Sequence, residues 1–155
     1  MENLFKNKKF EQLLKNHCRE ILFFLIQRKV NFSIICKIDC VKFEPELPSE
    51  IAQNFGELTV FILAGYTFES LEIDEHNLYF EAGFGSENLG SFVTAPLDCI
   101  VQIILPNQDN FPSDFCVYIN LLATYASPNN KEDSEGITRS MKALLSNYRN
   151  QRFKK

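Results

Sequence analysis

The sequence lacks several features that mark common protein classes. Its 155 residues contain no Trp and two His, and the longest apolar run, residues 21–26, falls far short of the roughly 20 residues that span a membrane. The first twenty residues mix charged with apolar side chains and have no small-residue cleavage site, so we expect no secretory signal. Five Cys cannot all pair, and none lies in a CxxC motif. We therefore expect a cytoplasmic protein with reduced thiols.

Patterns of catalytic and metal-binding residues are missing as well. His17 and His76 form no ligand pattern with the cysteines, and nothing marks a pair such as Cys99 with His76 as an activated nucleophile. The glycines of residues 83–90 lie in a predicted hairpin, and the Lys and Ser/Thr of a phosphate loop are absent there. We predict that the chain is not an enzyme and has neither a metal site nor a cofactor.

The charges are divided unevenly along the chain. Residues 137–155 carry six basic side chains and no acidic one, whereas residues 30–136 carry three basic and seventeen acidic side chains, a net charge of −14. A strongly acidic surface repels the phosphate groups of nucleic acids. Electrostatic attraction to these phosphates is the main source of non-specific affinity for RNA and DNA. The central region is therefore predicted to bind RNA and DNA poorly, and only the basic tail suits an anionic partner.

The N-terminal region predicts an amphipathic helix. From Phe10 to Leu25 the apolar residues recur at intervals of three and four residues, which places them on one face. Phe23, Phe24 and Ile26 widen the apolar surface beyond that face. Such a helix either packs deeply on its own domain or is shared with a second copy, and both interpretations stay open. The second predicts a homodimer through the helix of residues 4–26.

The following region predicts a β-rich domain without further helices. Alternating apolar residues indicate a half-buried strand over residues 32–40, and Pro45 and Pro48 then begin an extended, acid-flanked segment. Six or seven short strands are expected in total, at hairpin spacing. The later ones are residues 58–63, 71–73, 78–84, 91–95, 99–105 and 115–119. The predicted fold class is mainly β (α+β), a strongly bent antiparallel barrel behind one N-terminal helix.

Composition divides the chain into three parts. Residues 1–123 hold the predicted helix and barrel, and residues 124–136 are polar and rich in turn formers, which indicates a linker. Residues 137–155 form the basic tail. Within it, Met141, Leu144, Leu145 and Tyr148 are spaced as one apolar stripe of a short helix that would need a partner to become ordered.

A family resemblance is carried by residues 56–103, GELTVFILAGYTFESLEIDEHNLYFEAGFGSENLGSFVTAPLDCIVQI. This stretch resembles the stringent starvation protein B family, the specificity-enhancing adaptors of the ClpXP protease. The resemblance extends over about residues 10–106 and rests on the order and spacing of elements. Its elements are the N-terminal helix, a strand, the extended segment with Leu47-Pro48, a Gly-led strand, Ser70-Leu71-Glu72-Ile73, Ala82-Gly83-Phe84-Gly85, and Val93-Thr94-Ala95-Pro96-Leu97.

The chain departs from the family pattern in two places. The loop of residues 64–69 is longer than expected and lacks the usual run of small residues. Family tails are long and acidic and end in a short hydrophobic-basic motif, whereas this tail is basic and follows a short linker.

The resemblance implies an Sm-like barrel, a dimer formed through the N-terminal helix, a groove for ssrA-like degradation tags and a tail that docks on the unfoldase ClpX. The implied peptide-binding residues are Leu47, Pro48, Glu50, Ile51, Ala64, Gly65, Tyr66, Thr67 and Phe68. The implied unfoldase-docking residues are Arg152, Phe153, Lys154 and Lys155.

The residues of the implied groove suit peptide binding on their own chemistry. Pro48 holds its segment extended, and Gly65 allows a peptide backbone to come close. Tyr66 and Phe68 share one face of an extended chain, either as contacts for a peptide or as part of the core. Two other functions remain open: an Sm-like RNA-binding module, which the acidic centre disfavours, and a non-catalytic assembly subunit.

Overall fold

The computed structural model describes residues 3–107 and 113–126, which form an α+β domain. Its helices are α1 (Lys8–Gln27), α2 (Ser49–Ala52) and α3 (Gly65–Glu69). Its strands are β1 (Phe32–Lys37), β2 (Lys42–Glu44), β3 (Leu58–Leu63), β4 (Glu72–Ile73), β5 (Asn77–Phe84), β6 (Leu89–Pro96), β7 (Ile100–Leu105) and β8 (Phe115–Ile119). Short 3-10 helices occur at Leu4–Lys6, Ile38–Cys40, Leu97–Cys99 and Leu121–Tyr125.

The strands form two antiparallel sheets of four strands each. Sheet A has the order β3-β1-β7-β8, and sheet B has the order β2-β6-β5-β4. The 3-10 helices Ile38–Cys40 and Leu97–Cys99 are the bends at which the chain passes between the sheets, from β1 to β2 and from β6 to β7. The antiparallel strands and the N-terminal helix are confirmed. Within the described residues the strands do not close into a barrel, so that part of the prediction is not confirmed.

The strand predictions differ in how well their ends agree with the structure. The strands over residues 58–63 and 115–119 are confirmed at both ends. The strand predicted over residues 32–40 ends at Lys37, because the chain bends there to leave sheet A and pairs again in sheet B. The alternation of apolar residues continues through this bend, so the sequence pattern does not reveal it.

Two short helices interrupt the region that was predicted to have none. Pro48 is extended, with φ −54° and ψ 146°, but the next four residues form α2. The predicted extended segment of residues 47–51 is therefore wrong beyond Pro48. α3 follows β3 after Ala64, and Gly65 begins it with φ +58°, a backbone conformation that glycine adopts readily. Helices of four and five residues contain too few turns to show a helical period in the sequence.

Helix α1 packs on its own domain through the predicted stripe. Cys18, Leu22 and Leu25 are buried in the core. The Asn7 side chain accepts a hydrogen bond from the Phe10 amide at 3.0 Å and caps the first turn. The Lys15 ammonium lies 3.5 Å from a carboxylate oxygen of Asp98, at the bend between β6 and β7. The helix thus contributes a buried face to the core and leaves other apolar residues exposed.

Thiol reactivity tests this burial. Cys18 and Cys36 are fully buried, and burial raises the pKa of Cys18 to about 12 and raises that of Cys36 as well. A hydrogen bond with Cys99 lowers the pKa of Cys40, but both of these side chains are almost inaccessible. Cys116 is exposed. A thiol reacts with an aromatic disulfide only when its thiolate is accessible to the reagent. At about pH 8 we therefore expect one fast-reacting thiol in the native protein. This fast reaction should be absent from the Cys116→Ser variant. A fast thiol that persists in this variant would contradict the burial of the other four.

Candidate peptide-binding site

The two predicted peptide-binding segments lie on either side of strand β3 in the chain. Residues 47–51 come before β3, and residues 64–68 follow it directly. β3 stands at the end of sheet A and pairs with β1 along its whole length, from Phe32 opposite Leu63 to Lys37 opposite Leu58. In the described part of the chain no strand pairs with its other side. An edge of this kind presents unpaired backbone groups to an incoming strand.

The outward side chains of β3 are apolar and exposed. Leu58, Val60 and Ile62 have exposed fractions of 46%, 54% and 73%, while Phe61 and Leu63 point into the core. Edge strands are usually protected by charged residues, prolines or bulges. The six residues of β3, LTVFIL, contain none of these charges or prolines. This edge therefore combines an open backbone with an apolar side-chain row.

An aromatic cluster supports β3 from the inner side. It consists of Phe43, Phe55, Phe61, Phe80 and Phe84, whose neighbouring rings have centroids 5.5 to 6.4 Å apart. The cluster joins residues of β2, β3 and β5 with Phe55, which lies between α2 and β3. The sequence alone predicts no role for Phe55. Its one signal is a large aromatic residue alone in a polar stretch, QNFGE.

The segment before β3 rests on the end of β5. A side chain on Gly85 would have its Cβ 2.8 Å from Ile51 Cδ1, so the α2 turn sits directly against that glycine. Gly85 has φ +74°, in the left-handed region that favours glycine. Ile51 is thus held close to the aromatic cluster, because Phe84, a member of the cluster, directly precedes Gly85 in the chain.

The segment after β3 is fixed to the middle of β5 by hydrogen bonds. The Tyr66 hydroxyl donates to Glu81 Oε2 at 2.6 Å. Ser70 Oγ accepts from the Glu81 amide at 2.8 Å and donates to the Thr67 carbonyl at 2.7 Å. Phe68 points inward and meets the Phe32 ring edge-on at 6.2 Å. The prediction that Tyr66 and Phe68 share one extended face is wrong, because they lie on a helical turn.

The predicted peptide-binding residues differ in their exposure to solvent. Pro48, Glu50, Gly65 and Tyr66 are exposed, and Leu47, Ile51, Ala64, Thr67 and Phe68 are partly buried. One segment meets Gly85, directly after the end of β5, and the other meets Glu81 within β5. The predicted docking residues Arg152, Phe153, Lys154 and Lys155 lie outside the described residues, as do the whole predicted tail of residues 137–155 and residues 127–136 of the predicted linker. The 3-10 helix Leu121–Tyr125 includes the first two residues of the predicted linker.

The surface around β3 is acidic. No Lys or Arg occurs from residue 43 to residue 130, a stretch with thirteen Asp and Glu residues. Glu44, Glu46, Glu50 and Glu57 lie before β3 and are all exposed. None of these four carboxylates has a salt bridge within residues 3–107 and 113–126. A cation is also present at the start of β3, because Lys37 lies opposite Leu58 in sheet A.

The described residues offer neither a metal-binding cluster nor a membrane-spanning helix. No group of His, Cys, Asp and Glu in residues 3–107 and 113–126 is arranged to hold a metal ion. In the same ranges no helix has the length and apolar character needed to cross a membrane.

Comparison with known proteins leaves the family open: no family model matches the chain, and no curated protein matches it. The likeness to stringent starvation protein B therefore stays a prediction from the order of elements.

Removal of the Ser70 hydroxyl tests how α3 is held. We expect Ser70→Ala to lower the free energy of unfolding by about 1–3 kcal/mol, because the Glu81 amide loses its hydrogen-bond acceptor in a part-buried position. The matched control is Thr59→Ala, which removes an exposed hydroxyl that donates to the Gly56 carbonyl at 2.9 Å. That control should cost less than about 1 kcal/mol. Equal losses in urea unfolding would show that the Ser70 bond is not specially important.

Proposed function

We propose that the chain is a peptide-binding adaptor that holds an extended, ssrA-like tagged segment along the free edge of β3 and delivers it to the ClpXP protease. The observation that carries this proposal is the exposed apolar row of Leu58, Val60 and Ile62 on an unpaired edge. An extended peptide adds to such an edge by main-chain hydrogen bonds, and its alternate side chains contact the edge residues. The segments that contain Pro48 and Tyr66 would then flank the two ends of the bound peptide.

The proposal also includes three features of the adaptor family: an Sm-like arrangement of strands, a homodimer and a tail that docks on ClpX. The bends at Ile38–Cys40 and Leu97–Cys99, which carry the chain from one sheet to the other, support an Sm-like arrangement. Exposed Phe23 and Phe24 on α1 support a homodimer through the N-terminal helix. The tail residues 152–155 would dock on ClpX, and tethering the tagged substrate to the unfoldase raises their local concentration. Binding and tethering require no catalytic group.

The alternative functions fit the surface less well. An Sm-like RNA-binding module needs cationic or stacking groups along its binding face, and the absence of Lys and Arg from residue 43 to residue 130 disfavours it. A pure assembly subunit would use Phe23 and Phe24 but would have no use for the open edge of β3.

Peptide titration tests the proposal. A fluorescent ssrA-like peptide should bind the wild-type protein, and Val60→Ser combined with Ile62→Ser should weaken it by about tenfold, or about 1.4 kcal/mol. Both side chains are more than half exposed, so the variant should keep its thermal stability. The matched control is Ile119→Ser with Leu121→Ser, which removes exposed apolar residues from β8, at the opposite edge of sheet A, and from the 3-10 helix that follows it. The control should bind like the wild type.

Two outcomes would contradict the proposal. One is equal loss of affinity in both double variants, which would place the peptide elsewhere. The other is tighter binding of a labelled oligonucleotide than of the peptide, which would favour the RNA-binding alternative.

A further inference from the structure

Two cysteines meet where the chain crosses between the sheets. Each crossing is a 3-10 helix of three residues, Ile38–Cys40 between β1 and β2 and Leu97–Cys99 between β6 and β7. Both helices end in a cysteine. β1 pairs with β7 on one side of the crossings, and β2 pairs with β6 on the other side. The two crossings therefore run beside each other at one corner of the fold.

The strand registers fix the crossings within a few residues of the two cysteines. The pairing of β1 with β7 ends with Cys36 opposite Ile100, and the pairing of β2 with β6 begins at Lys42. Cys40 and Cys99 lie between these points, and their side chains are hydrogen bonded to each other. Both are buried, with exposed fractions of 5% and 4%. The fold thus holds two thiols in contact in its interior.

The local structure suits a covalent bond between these two thiols. Disulfide formation requires the two sulfur atoms to approach to about 2.05 Å, which takes some movement of the backbone. Cys40 and Cys99 are the last residues of 3-10 helices, so they can shift without the loss of a strand hydrogen bond. The neighbouring thiol of Cys36 is different, because this residue is paired with Thr59 on one side and with Ile100 on the other.

The hydrogen bond also makes the two thiols chemically unequal. The Cys99 thiol donates to the Cys40 sulfur, and this lowers the pKa of Cys40. Burial opposes the shift, the Lys37 ammonium supports it, and the carboxylates of Asp39 and Asp98 oppose it. The same hydrogen bond and burial raise the pKa of Cys99. Because the thiolate is the form that attacks an oxidant, Cys40 is the nucleophile and Cys99 is the thiol that resolves the product.

We propose that Cys40 and Cys99 form a redox-modification site, at which hydrogen peroxide converts the two thiols to a disulfide that joins the crossings. The Cys40 thiolate attacks one peroxide oxygen, the O–O bond breaks, and the other oxygen leaves as hydroxide and is protonated to water. The Cys99 sulfur then attacks the sulfenic acid of Cys40, the S–O bond breaks, and a second water leaves. The two thiols lose two electrons and two protons, and the peroxide is reduced to two waters. This inference does not depend on the proposed function.

Burial of the pair selects the oxidant. Hydrogen peroxide is little larger than water, whereas an aromatic disulfide must bring a ring up to the sulfur. The proposed oxidation is therefore consistent with Cys116 as the one thiol that reacts fast with the aromatic reagent. The reduced pair is the resting state in a reducing compartment, and a dithiol restores it after oxidation.

Peptide mapping of the full chain tests the proposal. Cys116→Ser first removes the exposed thiol. Trypsin then places each remaining cysteine in a peptide of its own: Cys18 in residues 16–19, Cys36 in residues 30–37, Cys40 in residues 38–42 and Cys99 in residues 43–131. After peroxide treatment and alkylation of the free thiols, we expect residues 38–42 linked to residues 43–131, about 2 Da below the sum of the two peptides. A dithiol should separate them.

Substitutions and melting assign the roles. Cys99→Ser should abolish the link and leave a sulfenic acid at Cys40 that dimedone traps, whereas Cys40→Ser should abolish the link and leave Cys99 unmodified. The control is Cys36→Ala, which removes the neighbouring buried thiol and should keep the link. The linked protein should melt at least about 5 °C above the reduced protein, because the bond closes a long loop of the unfolded chain.

The same reaction in urea supplies the comparison that decides. In the native protein the link of Cys40 with Cys99 should exceed every other pairing by about tenfold or more, while the unfolded chain should give a mixture. The same mixture under both conditions would overturn the inference, because native contact would then give no selectivity. A native link of Cys36 with Cys40, over-oxidation of Cys40 without a link, or a linked protein that melts no higher than the reduced one would also overturn it.

Discussion

Replacing Phe61 with alanine is expected to lower the free energy of unfolding by about 3–5 kcal/mol. Phe61 is buried on the edge strand β3, and its ring centroid lies 5.7 Å from that of Phe80 and 6.3 to 6.4 Å from those of Phe43, Phe55 and Phe84. These rings come from both sheets, so the cavity left by Phe61 opens between elements that cannot collapse independently. A large share of the stability of the domain is therefore expected to depend on this one contact group.

The neighbouring residue provides the control for this experiment. Ile62 is on the same strand but points outward, and Ile62→Ala should change the free energy of unfolding by less than about 0.5 kcal/mol. Urea unfolding followed by circular dichroism gives both values, provided that the slope with denaturant is unchanged. A loss below about 1 kcal/mol for Phe61→Ala would contradict the packing of the aromatic cluster.

Local patterns in the sequence predict the elements that are long or regularly alternating. The stripe that includes Cys18, Leu22 and Leu25 predicts α1, because three- and four-residue spacing repeats over several turns. β3 is predicted with both ends because Gly56 precedes and Gly65 follows a short, mainly apolar run. α2 and α3 are not predictable in this way, since a single helical turn has no period. Their formation depends on tertiary contacts, such as Ile51 against Gly85 and Tyr66 to Glu81.

The candidate site is only partly predictable for the same reason. The sequence predicts the segments on either side of β3 as the peptide site, but it does not predict the exposed row of Leu58, Val60 and Ile62. Strand order decides which of these residues are accessible, and β3 pairs with β1 rather than with its neighbour β4. That pairing is a long-range property, which alternation along one strand does not reveal. The acidic surroundings were detectable from sequence, as a stretch without Lys or Arg from residue 43 to residue 130.

Helix α1 offers a second large effect, because its two apolar surfaces are expected to respond differently. Leu22 is fully buried among core residues, and Leu22→Ala should lower the free energy of unfolding by about 2–5 kcal/mol. Leu13 is on the same helix and is 61% exposed, so Leu13→Ala should cost less than about 0.5 kcal/mol. Thermal or urea unfolding at a fixed protein concentration compares the two, since association would make stability depend on concentration.

The exposed aromatic residues of α1 test assembly separately from folding. Phe23 and Phe24 are about half exposed, and the Arg28 guanidinium lies 5.0 Å from the centroid of the Phe24 ring. If these residues form the predicted homodimer interface, Phe23→Ser with Phe24→Ser should convert a dimer to a monomer in sedimentation, while Leu22→Ala should act on folding. At about 25 cal/mol per Å², burying the exposed halves of the two rings contributes a few kcal/mol to association, so their removal should weaken a dimer strongly. A wild-type protein that sediments as a monomer at micromolar concentration would contradict the predicted dimer. Helix α1 would then pack only on its own domain.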